Sequence, residues 1–202
     1  MPNYGTTRTC LAFAVAIPIV YFGTQLIAAP FFPQYSFTQQ AASLLGSPAS
    51  HLPWIFNTGA MLTGICATIG AYGLYHALRT KAGLILSALI GIAVLVVGIT
   101  SFKAGLYPLP DPRHSSWQFL TAFIILLPFV LFLASWRMRA SVALRGYLLL
   151  SLLLLMAVIA CMSGVIHIPG LGGGILQRLL AIATFFPVGV MAYVLRKHSH
   201  TQ

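Results

Sequence analysis

Acid is what this chain lacks. Asp111 is the only carboxylate side chain among 202 residues, there is no glutamate, and Asp, Glu, Lys and Arg together make up 6% of the sequence. A soluble domain carries roughly 25% charged residues, so a water-facing surface cannot be built from this inventory. Without glutamate there is no H-E-x-x-H motif, and the usual general base of a zinc hydrolase is missing. Cysteine is scarce too. Cys10, Cys66 and Cys161 are odd in number and form no C-x-x-C pair, so they read as small packing residues. The G-x-x-x-x-G-K-[ST] pattern of a nucleotide P-loop is also absent.

What charge there is has one sign. Eleven Lys and Arg give a formal charge of +10. In a soluble protein this excess would suggest nucleic acid. Here the basic residues sit at the ends of apolar runs, where anionic lipid headgroups attract them, and no nucleic-acid partner is expected.

Hydrophobic residues fill 59% of the chain. A spanning helix needs about 20 apolar residues, and the sequence predicts six, over residues 9–29, 54–78, 83–102, 117–136, 144–165 and 175–195 of a single domain, 1–202. Pro30 directly after Ala28 and Ala29 makes a poor signal cleavage site, so the first run reads as a retained anchor. Arg8, Arg79, Lys81, Arg137, Arg139, Arg145, Arg196 and Lys197 fall on one side of these runs, and Lys103, Arg113 and Arg178 on the other. Positive charge stays cytoplasmic. The expectation is therefore a multi-pass protein of the inner (plasma) membrane with both termini cytoplasmic.

Only helices or closed barrels satisfy a backbone in lipid, and runs of this length predict an all-α bundle. Gly83, Ser87, Gly91 and Gly98 on the third run, with Ala60 and Gly64 on the second, mark faces where helices approach closely. Pro18, Pro128 and Pro187 fall inside the first, fourth and sixth runs. Each removes a helical hydrogen bond.

The outward loops hold most of the candidate chemistry. In the first, Ser36 and Gln39 form a capping box, Phe37, Ala41, Leu44 and Leu45 share a face, and Gly46 with Pro48 ends the segment. This predicts a short amphipathic helix over 36–46. The second loop places Asp111, Arg113 and His114 before the fourth span. The third is glycine-rich and leads into a helix with Gln177 and Arg178 in its first turn. Free amides at that helix start, with Arg178, make a candidate site for a phosphate headgroup. The competing reading is a tight glycine turn with Arg178 paired to Asp111. Asn57, near the outward end of the second span, either lines the same cavity or bonds a neighbouring helix. His51, His114 and His167 lie one in each outward loop. Three imidazoles can hold a catalytic zinc, so they form a candidate metal set if the loops converge.

Tyr35, Ser43 and Gly46, then Phe56, Asn57, Thr58 and Gly59, then Gly105, Leu106, Tyr107 and Pro108 with Asp111 and His114, then Gly172 followed by Gln177 and Arg178, form one ordered pattern along the chain. The pattern resembles a prokaryotic family of integral membrane proteins catalogued as domain of unknown function 998, over residues 9–196. The resemblance implies the six-span layout and an outward polar cluster, but no reaction. It also implies two departures, because relatives often carry an acid where this chain has Leu44 and another where it has Gln177.

Taken together, the residues predict a protein that binds a lipid headgroup, or a partner membrane subunit, at its outward face, more readily than an enzyme. Asn57, Asp111, Arg113, His114, Gln177 and Arg178 are the candidate ligand-binding residues. The alternatives are a metal-dependent membrane hydrolase, an accessory subunit of a larger membrane complex, and a small transporter. Few ionisable groups lie mid-span, which disfavours proton-coupled transport.

Overall fold

The computed structural model describes residues 4–114, 116 and 120–198. Six α-helices carry the fold: α1 (Tyr4–Ala28), α2 (Pro53–Leu78), α3 (Leu84–Leu106), α4 (Thr121–Arg137), α5 (Val142–Met162) and α6 (Gly173–His198). No strand occurs among the described residues. Five of the six are long and apolar enough to cross a membrane, and α4 is a shorter apolar helix. Its 17 residues extend about 26 Å, just under the roughly 30 Å hydrocarbon core. The expected fourth span began at Trp117, and residues 117–119 lie outside the described residues. The α1 helix starts at Tyr4 rather than at residue 9, and α3 continues to Leu106 rather than stopping at 102.

The helices form a ring in chain order. Each packs on its sequence neighbours, α6 closes against α1, and α4 also reaches α6. The start of α1, the α2–α3 and α4–α5 connections and the end of α6 therefore share one end, here the basic end. The three remaining connections share the other, the loop end. Inside the ring, Leu11, Ile17, Leu74, Ile90, Leu131, Leu148 and Met191 are fully buried. Outside it, Ile19, Leu26, Ile85, Val142 and Leu150 are each more than 60% exposed. A bundle apolar on both its inner and its outer surface is built for lipid, not water.

Small residues bring α2 and α3 together. A Cβ on Gly64 would lie 2.6 Å from the Phe102 backbone nitrogen and 2.7 Å from the Gly98 carbonyl, so the two backbones touch where only glycine fits. Gly83 plays a different part. It precedes α3 with φ +93°, a backbone conformation that glycine adopts without strain.

The first connection at the loop end differs from its expectation. No amphipathic helix runs over 36–46. Residues 36–40 make a turn closed by Gln40 N–H on the Ser36 carbonyl (2.9 Å), and a 3-10 helix follows over Ala42–Gly46. The cap is also rearranged. Ser36 Oγ accepts from Gln39 N–H (3.3 Å), but Gln40, not Gln39, returns the bond by accepting from Ser36 N–H (2.8 Å). Backbone groups that would have propagated a helix are instead taken by distant side chains. Buried Ala42 and Leu45 pack with Ala28 and Phe56 in a small apolar cluster of their own.

Candidate functional site

Arg178 organises the loop end. It stands in the first turns of α6 and is 9% exposed. Its Nη1 donates to the carbonyls of Phe37 (2.7 Å), Gln40 (3.0 Å) and Gly174 (2.9 Å). Its Nη2 donates to the Tyr35 hydroxyl at 2.5 Å. The guanidinium also lies 4.9 Å from the Phe37 ring centre, a cation–π distance. Tyr35 Oη in turn donates to the Ala41 carbonyl (3.1 Å). Burial pushes the Tyr35 phenol up from its ordinary pKa, and the adjacent Arg178 pulls part of that shift back.

The neighbouring residue completes the clasp. Gln177 Oε1 accepts from Ala42 N–H at 2.7 Å, and Ile175 N–H donates to the Thr38 carbonyl at 2.9 Å. Gly172 and Gly174 permit this approach, since a Cβ on either would fall 2.3–2.4 Å from the carbonyl of Thr38 or Gln40. The start of α6 thus faces residues 37–42 of its own chain. Their carbonyl oxygens carry partial negative charge and accept from the Ile175 amide and from Arg178 Nη1, while Arg178 Nε is buried without a partner. The loop thus lies against the helix start where a phosphate site was expected.

Arg178 does not pair with Asp111. Asp111 is claimed locally: Arg113 donates from its backbone N–H (2.8 Å), from Nε (3.0 Å) and from Nη2 (2.7 Å). The guanidinium of Arg113 also lies 4.0 Å from the Tyr107 ring centre. This arrangement holds the Asp111 carboxyl below its ordinary range, chiefly through the Arg113 hydrogen bonds. Two residues of separation make that pair far easier to form than one across the bundle.

Asn57 takes the packing role. Its Nδ2 donates to the Gly46 carbonyl (3.1 Å), tying α2 to the end of the 3-10 helix, while its Oδ1 is buried without a partner. Gln25, 1% exposed on α1, likewise leaves Oε1 buried and unmatched. The metal set is not assembled. Among the described residues, no group of three or more His, Cys, Asp or Glu could share a metal ion. His51 is exposed beside Phe31, to whose carbonyl its own N–H donates (2.8 Å), and His167 is exposed in the α5–α6 connection. The three histidines are not brought together.

Two of the predicted residues do meet. His114 and Gln177 both line a cavity of about 180 Å³ at the loop end, with Tyr21, Ser43, Thr100 and Ser101 as its other polar walls and Ala42, Phe56, Ala60 and Ala104 as its apolar ones. His114 Nδ1 lies 2.8 Å from the Tyr107 carbonyl. A carbonyl can only accept, so Nδ1 is the donor in this contact. Beside the cavity, Lys103 is 9% exposed, and its Nζ donates to the backbone carbonyl and to Oγ (2.7 Å) of Ser116. Tyr21, Thr100 and Ser101 carried a signal that composition hides. They are polar side chains within otherwise apolar runs.

The sequence profile of a family described as protein of unknown function (DUF998) matches residues 14–194. No curated protein and no solved structure matches the chain.

Proposed function

The chain belongs to the family described as protein of unknown function (DUF998), and on that premise we propose that this membrane protein binds the polar headgroup of a lipid at its loop end without turning it over. The observation that carries the reading is the cavity under residues 42–43, where hydroxyls, an amide and an imidazole gather at the end of an otherwise apolar bundle. Such a wall hydrogen-bonds the hydroxyl, amine or phosphoryl oxygens of a headgroup. Its volume of about 180 Å³ is below the roughly 300–1,000 Å³ of sites that engulf a whole ligand. A headgroup fits, with its tails left in the bilayer. Binding without turnover is favoured because no carboxylate lines the cavity and Asp111 is committed to Arg113. The positive-inside rule supports an orientation with this end facing out of an inner membrane and both termini in the cytoplasm.

Ala104 supplies the test, because it lines the cavity without taking part in the clasp. Ala104→Phe is expected to fill the space and reduce the lipid that copurifies with each chain, with thermal unfolding in detergent unchanged. Lipid content equal to wild type in a folded Ala104→Phe protein would refute headgroup binding there.

A further inference from the structure

The basic end holds a larger cleft, and it points to a second ligand. A cavity of about 730 Å³ opens between the start of α3 and the end of α4. Leu84, Ile85, Leu86 and Leu133 form its apolar walls, and Trp136 and Arg137 its polar side. Arg145 stacks on the same indole, its guanidinium carbon 4.5 Å from the ring centre. Lys81 and Arg139 lie in the two connections that border the cleft. No acidic side chain answers this charge, since Asp111, the chain's only one, is at the loop end. A full negative charge for this end can come from a bound anion, beyond the partial charge of the α4 C-terminal carbonyls beside Arg137.

We infer that this cleft binds an anionic phospholipid, with its phosphate at Arg137 and an acyl chain along Leu84, Ile85 and Leu133. Three features select a lipid over a soluble anion. The walls are mostly apolar. Leu84 and Ile85 are 64% and 76% exposed on the outer face of the bundle. Trp136 is 57% exposed at the helix end, the depth at which indole rings favour the membrane interface. Basic pockets between spanning helices are suited to acidic headgroups, and the volume lies within the range of ligand sites. This site stands on different residues from the loop-end cavity, so either can fail alone.

Trp136 is a built-in reporter. In a full-length Trp54→Phe, Trp117→Phe background it is the single tryptophan, because the chain has three. Phosphatidylglycerol with brominated acyl chains should quench it at lower concentration than brominated phosphatidylcholine. Arg137→Gln should raise the phosphatidylglycerol midpoint about fivefold, the weight of one basic residue at an anionic surface, and Arg137→Lys should restore it. Leu133→Phe, which narrows the cleft without changing charge, should weaken quenching by both lipids. Equal quenching by the two lipids would overturn the inference. So would an unshifted midpoint in folded Arg137→Gln, undiminished quenching in Leu133→Phe, or displacement of the lipid by millimolar inorganic phosphate, which would assign the site to a free anion.

Discussion

Arg178 and Phe37 are 141 residues apart in sequence, yet Nη1 of one donates to the carbonyl of the other at 2.7 Å. That bond sets the character of the loop end. A buried cation in a bundle with almost no acid is held by backbone carbonyls and a phenol rather than by a carboxylate. The loop that receives it becomes a fixed roof over the cavity lined by Ser43, His114 and Gln177. The guanidinium is suited to this task because its planar fork can meet several acceptors at once.

Arg178→Ala should therefore release the roof. The carbonyls of Phe37 and Gln40 would each lose a charge-assisted bond, worth roughly 1.5–3 kcal/mol apiece. Local stability of residues 35–46 is expected to fall by about 3 kcal/mol, read as faster amide hydrogen exchange confined to that segment. Arg178→Lys should recover only part of the protection, because one ammonium cannot span the same acceptors. Unchanged exchange in Arg178→Ala would mean that packing of Leu45 and Phe56, not the guanidinium, holds the loop.

Gly174→Ala tests the same clasp without touching charge. Its Cβ would fall 2.4 Å from the Gln40 carbonyl oxygen and 2.8 Å from the Phe37 oxygen, and these are backbone atoms that cannot swing aside. The loop should lift from α6 with the exchange signature of Arg178→Ala. If exchange over 35–46 stays as in wild type, the close approach is not needed for the clasp.

The α2–α3 contact offers a contrast between two glycines. Gly64→Ala drives a Cβ into the backbone of Phe102 and Gly98, and overpacking of this kind costs about 1–3 kcal/mol. Gly146 on α5 has nothing within 4 Å, so Gly146→Ala should be neutral or stabilise by up to about 1 kcal/mol through helix propensity. Unfolding in mixed micelles, titrated with denaturing detergent, ranks the two directly. Equal stability would show that α2 and α3 can separate without cost.

These glycines also mark the limit of what the sequence discloses. The six apolar helices were legible because lipid demands long runs, and length is written plainly in sequence. Spacing likewise placed Gly64 on a packing face. The roof was not legible. Ser36 and Gln39 spell a helix start by local rules, but Gln177 and Arg178 reach in from α6 and, with the adjacent Tyr35, claim the backbone that a helix would have used. A pairing of Arg178 with Asp111 followed from counting charges. The count could not reveal that Nη1 of the arginine would turn to backbone carbonyls while Arg113, two residues away, took the acid. His114 and Gln177 were singled out from sequence and do share a cavity, but their partners Tyr21, Thr100 and Ser101 come from helices whose rotation no local pattern specifies.

Asp111 yields a prediction of unusual clarity, because it is the only acidic side chain in the protein. A carbon-13 carboxyl label on aspartate therefore gives a single side-chain titration. Arg113 holds the carboxylate through side-chain and backbone hydrogen bonds and so lowers its pKa. The midpoint should fall below the ordinary aspartate value of about 3.9. An acid with a depressed folded-state pKa adds stability that is fully present above the unfolded value and is lost as pH falls through the folded one. The turn over 107–114 should thus stay ordered at neutral and mildly acidic pH and loosen only under stronger acid. Arg113→Ala should return the midpoint toward the ordinary value, while Arg178→Ala should leave it nearly unmoved because that guanidinium is spent on the loop carbonyls. A midpoint that follows Arg178 instead would place the two charges in contact and undo the separation on which the loop-end description rests.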